Sequence, residues 1–573
     1  MSAPSILRPY RMPLLPAAAA LVCAWLALTP SLLPRGPLFQ GLLCAVSALL
    51  GYGLGAALAW ALHAFGLHFG PRGLRRARLG LGGIAVLGSA VMLWLAQGWQ
   101  QEQRRGIGMD PASAADPLIA LVVAVLVFAV LLVIVRSVRG VGRWLGRVLA
   151  RVLPLKVAVA AGTVLAVWAA LALVNGVVTG RVADGLDASF ATIDDEFRTD
   201  VPGPELTEVS GGTGSEVSWG SLGRQGRIFI ANTPRRAQIE SFFAGLAAAG
   251  GEAGSGAGGA AIGAQQPIRV YIGAGREPLD LDAQAELAVR ELERTGAFDR
   301  AVLNVATGTG RGWVNENQAR ALEYLWHGNT ATVSMQYSYL PSWMSYLVDG
   351  QRPRQAGQAL FDAVSAHWLR LPADHRPKLV VSGESLGSFG GEGAFSGAQD
   401  LAERTDGALW VGPTANNVLW QQLTADRAAG SPVHLPVVDS GAIVRFSADG
   451  NDWPGDASWA GPRVGYLQHA NDPVTWLDFG AAFARPEFLD GARGPGVPAQ
   501  MLWIPVVTVL QLAVDQLASG VPDGQGHEFG QAPVRAWASI LPPPGWADSD
   551  TAALATHLAE LRESDLDSSS SSE

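Results

Sequence analysis

The sequence predicts an α-helical membrane bundle followed by an α/β domain with a mostly parallel sheet. Five long apolar runs stand before residue 180, and strand-like and helix-like stretches then alternate from Ile268 to Leu467. Within that alternation a valine-rich run, Leu379-Val380-Val381, leads into Gly383-Glu384-Ser385-Leu386-Gly387. A chain of 573 residues exceeds one compact domain. Its hydrophobic fraction of 49% and positive mean hydropathy exceed those of an ordinary soluble protein, and nearly all of the excess lies before residue 180. The expected division is a transmembrane domain over 1–180, a linker over 181–225, an α/β domain over 226–545 and a disordered acidic, serine-rich tail over 546–573.

The apolar runs cover about 14–33, 38–65, 79–99, 116–135 and 157–178. Each approaches the roughly 20 residues that a helix needs to cross a hydrocarbon core. Pro13, Pro16 and Pro30 interrupt the first, but it lacks a small-x-small cleavage pattern, so a retained helix is expected rather than a signal peptide. In a five-span arrangement Arg8, Arg11, Arg72, Arg75, Arg76, Arg78 and the cluster from Arg136 to Lys156 fall on one side, with only Arg35, Arg104 and Arg105 on the other. The positive-inside rule then places the amino terminus in the cytoplasm and everything after residue 180 outside the cell membrane. Gly51 and Gly55, with Gly80, Gly82, Gly83 and Gly88, predict close helix packing. No acidic or basic residue stands in the middle of a span, which points to an anchor or lipid-facing platform and away from a transport path. The two cysteines, Cys23 and Cys44, both lie within spans, so the later part has no thiol for a disulfide or a metal site. A net charge of −9 argues against nucleic acid as a partner, and the basic loops suit anionic lipid headgroups.

Past the spans, 227–231 reads as a strand and a helix follows Thr233-Pro234. Residues 245–266 are too poor in large apolar groups to pack and read as a flexible surface loop, without the G-K-[ST] ending of a phosphate loop. Strands are expected at 268–272, 301–305, 330–337, 379–381, 408–411 and 464–467, and helices at 281–295, 316–327 and 356–369. Such alternation implies a parallel sheet covered on both faces. In that architecture the loops at the carboxyl ends of the strands build the site, which should bring 307–312, 337–346, the turn after Leu467 and the loop before His527 around Ser385.

Among 69 glycines a G-x-S-x-G match is easy, and a serine that merely caps a helix is the bland reading. The strand before it, the helix after it and a downstream Asp and His favour a nucleophile held at a strained strand-to-helix turn. A serine hydroxyl needs an imidazole to remove its proton and a carboxylate to orient that imidazole. Asp472, just past a strand in 466–474, is the best acid; Asp439, Asp449 and Asp452 are substitutes, and an Asx turn before Pro473 is its ordinary role. His527, among glycines in 523–529, is the best base, with His469 as competitor; His327, His367 and His375 lie beside helices. Two oxyanion donors are needed: the Leu386 N–H, and one from Thr307-Gly308-Thr309-Gly310 or alternatively from 273–275. Tyr337, Tyr339 and Trp343 form either a core segment or an apolar wall for an acyl chain at the bilayer interface. Without an H-x-x-x-H or H-E-x-x-H pattern no metal is expected, and no cofactor either.

Together, SLLPRG at 31–36, GYGLG at 51–55 and then TGTGRGWV, QYSYLPSW, SGESLGS, HANDPV and GHEFG make this chain resemble the membrane-anchored α/β-hydrolase family common in actinobacteria, from about residue 15 to 540. The resemblance implies an α/β-hydrolase fold with Ser385, Asp472 and His527 as a triad, each on a matching motif. The expected activity is a membrane-tethered serine hydrolase of esterase or lipase type, cleaving acyl esters of lipid or cell-envelope substrates drawn from the bilayer. Acyl transfer by the same triad, or a non-catalytic scaffold whose membrane bundle is the working part, are the alternatives. The oligomeric state stays open.

Overall fold

The computed structural model describes residues 14–65, 71–175, 203–249, 263–274, 280–341, 344–345 and 349–570. Its contacts group into two units, Met1–Asn175 with Leu477–Pro522, and Gly176–Trp476 with Asp523–Glu573. The expected single stretch 226–545 is therefore corrected: residues 477–522 pack with the amino-terminal helices.

The first unit contains α1 (Leu14–Leu26), α2 (Pro37–Ala64), α3 (Pro71–Gly106), α4 (Asp116–Leu149) and α5 (Leu155–Asn175). Proline opens α2 and stands in the first turn of α4, where its missing N–H costs no helical bond. Among the described residues three stretches, Pro37–Ala64, Arg76–Gly106 and Asp116–Leu149, are long and apolar enough to cross a membrane, whereas Leu14–Leu26 is a shorter apolar helix. Gly51 and Gly55 let α2 meet α1, since a Cβ on either would stand 2.3 Å from Ala19 O or 2.7 Å from Leu15 O. Gly80, Gly82 and Gly83 have nothing within 4 Å, contrary to the packing expected of them, and only Gly88 is crowded, by Trp25.

The turn from Thr29 to Gly36 is held from within this unit. The Arg35 guanidinium lies 3.3 Å from Asp515 and donates to Thr29 O at 2.9 Å, and Gln511 donates to the same carbonyl at 2.9 Å. The helix Val507–Asp515 thereby seats Val507, with Ile504 and Leu510, against Ala27, Leu43 and Ala96.

The second unit is built on a seven-stranded, all-parallel sheet. Its strands are β1 (Ile268–Ile272), β2 (Val302–Thr307), β3 (Thr330–Met335), β4 (Lys378–Glu384), β5 (Gly407–Val411), β6 (Val444–Ser447) and β7 (Arg463–Leu467), in the order β1-β3-β2-β4-β5-β7-β6. Most strands are buried along their whole length, as a parallel sheet with helices on both faces requires. Register pairs Thr307 with Gly383, Glu384 with Val411 and Val411 with Leu467, so the carboxyl ends of four central strands form one rim. One face carries a core of Val302, Val380, Leu409 and Leu467 under Trp537 and Ile540.

Two local readings change, and one buried charge is new. The run 227–231 belongs to a helix, Gly223–Ala231, whose buried Gly223, Gly226, Arg227 and Ile230 recur at helical spacing. Gly226 permits the contact, because a Cβ there would lie 2.5 Å from the Tyr271 ring. The tail expected to be disordered forms a helix, Asp548–Ser570, with Leu554 and Leu558 buried one turn apart in the core. Finally, Arg269 lies fully buried in β1, where it meets Glu323 at 2.7 Å and Glu316 at 2.9 Å.

Candidate active site

The rim centres on β4. Ser385 follows it with φ 54° and ψ −123°, a left-handed conformation that a serine adopts only where its surroundings enforce it. The glycines of the motif enforce it by close approach. A Cβ on Gly383 would stand 2.5 Å from Gly387 O, and one on Gly387 would stand 2.3 Å from Thr307 O, so neither position tolerates a side chain. The helix Leu386–Glu392 starts at once, which leaves the Leu386 N–H without an intrahelical acceptor. Beneath the turn, the Ser388 hydroxyl donates to Ser385 O at 2.7 Å. Asn417 in turn donates to Ser388 Oγ at 3.1 Å and to Glu392 at 2.9 Å, and the Tyr466 hydroxyl donates to Glu392 at 2.9 Å. Burial pushes the Glu392 carboxyl up to about 7.

From Ser385 a row of backbone bonds crosses the strand ends. Ser385 N–H donates to Val411 O at 2.9 Å, and Gly412 N–H donates to Leu467 O at 2.8 Å. Asp472 lies a short turn past β7, fully buried, and accepts from Val474 N–H at 2.8 Å and from the Thr475 hydroxyl at 3.2 Å. Its other neighbour is His527, whose Nδ1 lies 2.7 Å from Asp472 Oδ2. That ring is packed over Gly412, where a Cβ would come within 2.4 Å of His527 Cε1. Its second nitrogen, Nε2, is out of contact with solvent and has no hydrogen-bond partner among the described residues. Asp472 and His527 are thus joined, and His527 lies over the residue after the one that accepts the Ser385 N–H; no hydrogen bond closes between Ser385 Oγ and Nε2.

His469 is occupied elsewhere. Its two ring nitrogens face Gly526 O at 2.8 Å and Ala448 O at 3.1 Å, and its ring stacks on Phe529 with centroids 4.4 Å apart. It supports the loop that carries His527. Asp449 accepts from Asn451 and Asp452 N–H groups in a turn, and Asp439 is the first residue of a short 3-10 turn, which leaves Asp472 as the carboxylate on the imidazole.

Two further carboxylates act on the ring. Glu384, the residue before the serine, is buried and accepts from the Asn315 amide. Burial raises it to about 6, with His527 and Asn315 pulling the other way. For His527 burial alone would lower the ring, but the charge of Asp472, with Glu384 and Glu528 behind it, outweighs this and raises it to about 9.

Sheet order separates the two candidate loops for a second donor. β2 pairs with β4 directly, whereas β1 is three places away, roughly 14 Å at normal strand spacing. Within 307–309, Thr309 N–H already donates to Trp313 O at 2.9 Å. The Thr307 side chain lies under the helix after the serine, 3.2 Å from where a Gly391 Cβ would be, while the Gly308 carbonyl is 3.2 Å from the corresponding point on Gly387. Tyr337, just past β3, is buried, and its hydroxyl has no partner among the described residues; Tyr339 is half-buried, and Trp343 lies outside the described residues. No group of three or more potential metal ligands occurs among the described residues. Glu384, Gly412 and the Asn417–Glu392 pair had not been singled out from the sequence. Glu384 carried a signal, as an acid inside the G-x-S-x-G motif, while Gly412 carried none.

A parallel sheet with a serine on a left-handed turn at the end of its middle strand is the architecture of an α/β-hydrolase. In agreement with this, residues 268–554 match the alpha/beta-hydrolase family, and residues 28–234 match the alpha/beta-hydrolase family N-terminus. The first match spans half of the chain, which belongs to this family of hydrolases. No curated protein and no solved structure matches the chain.

Proposed function

We propose that this chain is a membrane-tethered serine hydrolase that cleaves acyl esters of lipid or cell-envelope substrates, with the amino terminus cytoplasmic and the second unit extracytoplasmic. One observation carries the reading: a buried carboxylate on Nδ1 of a half-buried imidazole whose Nε2 has no partner among the described residues. An unpaired buried nitrogen is costly in a structural role, whereas a general base needs its nitrogen free to receive a proton.

In this reading the His527 ring first loses the proton that its three carboxylates favour. Ser385 Oγ then attacks the acyl carbonyl as Nε2 takes the hydroxyl proton, and Asp472 stabilises the imidazolium through Nδ1. The oxyanion forms against the N–H groups of Leu386 and Gly308. Collapse breaks the ester C–O bond, and the departing alkoxide takes the proton from Nε2. Water then attacks the acyl-serine with the same base removing its proton, and Ser385 is released. Tyr337 and Tyr339 would line the acyl side. A fluorophosphonate probe tests the assignment: it should label the native chain and fail on Ser385→Ala, and equal labelling of the two would sink the triad.

A further inference from the structure

Four elements of the first unit, α1 to α4, line a partly open cavity of about 270 Å³. Seven of the residues around it are alanines, and their short side chains leave a slot where larger residues would close the bundle. Its wall is otherwise hydrocarbon apart from Ser89 and Cys44; the Ser89 hydroxyl is taken by Trp25 Nε1–H at 3.1 Å, and Cys44 Sγ accepts from Gln40 at 3.3 Å. Nothing in that wall would hold water, since apolar cavities stay dry. Left empty, the same wall would lose its dispersion contacts.

Shape and surroundings name the occupant. Along α4 the wall runs from Ala120 to Phe128 and along α1 from Ala17 to Trp25, about 12 Å each at the helical rise. That is close to half of a hydrocarbon core of roughly 30 Å, the depth of one leaflet. Leu121 and Val125 belong to the wall and are also exposed on the outer face of α4, so the slot is continuous with the surface that lipid would cover. At its other end Leu28, Leu93 and Ala120 are shared with a small second cavity bordered by Gln40, Gln97, Gln100 and Asp116. The combined site is therefore apolar for one leaflet's depth and polar at one end. α2 and α4 are themselves long and apolar enough to cross a membrane.

We propose that this cavity holds one acyl chain of a bilayer glycerophospholipid, entered sideways past Leu121 and Val125, with the headgroup end towards Gln97 and Gln100. The site stands apart from the hydrolytic assignment and does not depend on it. The test uses the full chain in vesicles of phosphatidylcholine and phosphatidylglycerol doped with a phosphatidylcholine bearing a mid-chain diazirine. After photolysis, adducts are mapped by peptide mass spectrometry. Adducts are expected on the inward residues Ala24, Ala45 and Ala48 at yields similar to those on the outward-facing Leu126 and Val130. In Ala48→Leu, and separately in Ala124→Leu, inward labelling should fall roughly tenfold while the outward pattern stays, because added methylenes occupy the slot. Inward residues that stay unlabelled in the native chain overturn the proposal, whatever the variants do. So does inward labelling that neither variant reduces.

Discussion

Replacing Gly412 by alanine tests the proposed role of His527 without substituting Ser385, Asp472 or His527 itself. The new methyl would lie 2.4 Å from His527 Cε1, 2.9 Å from Nδ1 and 2.8 Å from Phe529 Cε2. Carbon atoms rest at about 3.5 Å or more, so something must retreat by about 1 Å. Phe529 is backed by the His469 ring, which two carbonyls hold in place, and the displacement therefore falls on His527. A misplacement of that size in a catalytic group lowers turnover about 100-fold, equivalent to about 2.7 kcal/mol of barrier. Gly412 has φ +52°, which costs an alanine roughly 1–2 kcal/mol, small enough for a normal domain to stay folded. The assay is the second-order rate of fluorophosphonate labelling at Ser385, followed by intact mass, alongside a thermal melt. A rate within about threefold of native in a folded variant would refute the view that this ring serves the serine.

Labelling should also depend on pH in a definite direction. Because the folded His527 ring is raised from 6.5 to about 9, the reactive neutral form accumulates only as pH climbs through about 9; the ring's contribution to stability is full below 6.5 and lost over the same rise. Glu384→Gln removes one of the charges holding that proton and should lower the midpoint by about half to one pH unit, and an unmoved midpoint would exclude the coupling. Glu392→Gln addresses the network under the turn. The native carboxyl is raised from 4.5 to about 7, so the native chain should lose up to roughly 3 kcal/mol between those pH values, and urea melts of the variant at pH 5 and pH 8 should lack that loss. Arg269→Met strands the carboxylates of Glu316 and Glu323 and should cost about 3–5 kcal/mol in the same kind of melt, with a cost under about 1 kcal/mol counting against the buried pair.

Most of the parallel sheet was legible because the strands expected there are short valine-containing runs of high strand preference bounded by turn residues, and helix 281–295 begins with an aspartate cap and ends at a left-handed glycine. β6 escaped notice because Val444–Ser447 is only four residues long and carries Arg445 in its middle. The helix at 223–231 was misread because its apolar residues Ile228, Phe229 and Ile230 are contiguous, a pattern that fits a buried strand as well as a short helix. Asp472, chosen for its place just past a strand, and His527, chosen by its place after Ser385 and Asp472 in the chain, lie together; the role of the Asn417–Glu392 network was invisible, since its members come from separate elements whose meeting only the fold decides. The length of the first apolar run was overestimated for a similar reason: composition continues past Leu26, but the chain leaves the helix to form the Arg35 turn.

Residues 477–522 separate Asp472 from His527 along the chain yet fold with the amino-terminal helices. A soluble enzyme cannot therefore be obtained by truncation at residue 180. Such a fragment would retain Ile504, Val507, Leu510 and Val514 without the surfaces that bury them, and Asp515 without Arg35. It would be expected to clump, and its poor behaviour would report a missing cofolding partner instead of an inactive site. Biochemistry on this protein belongs in detergent or nanodiscs, with both halves of the polypeptide present.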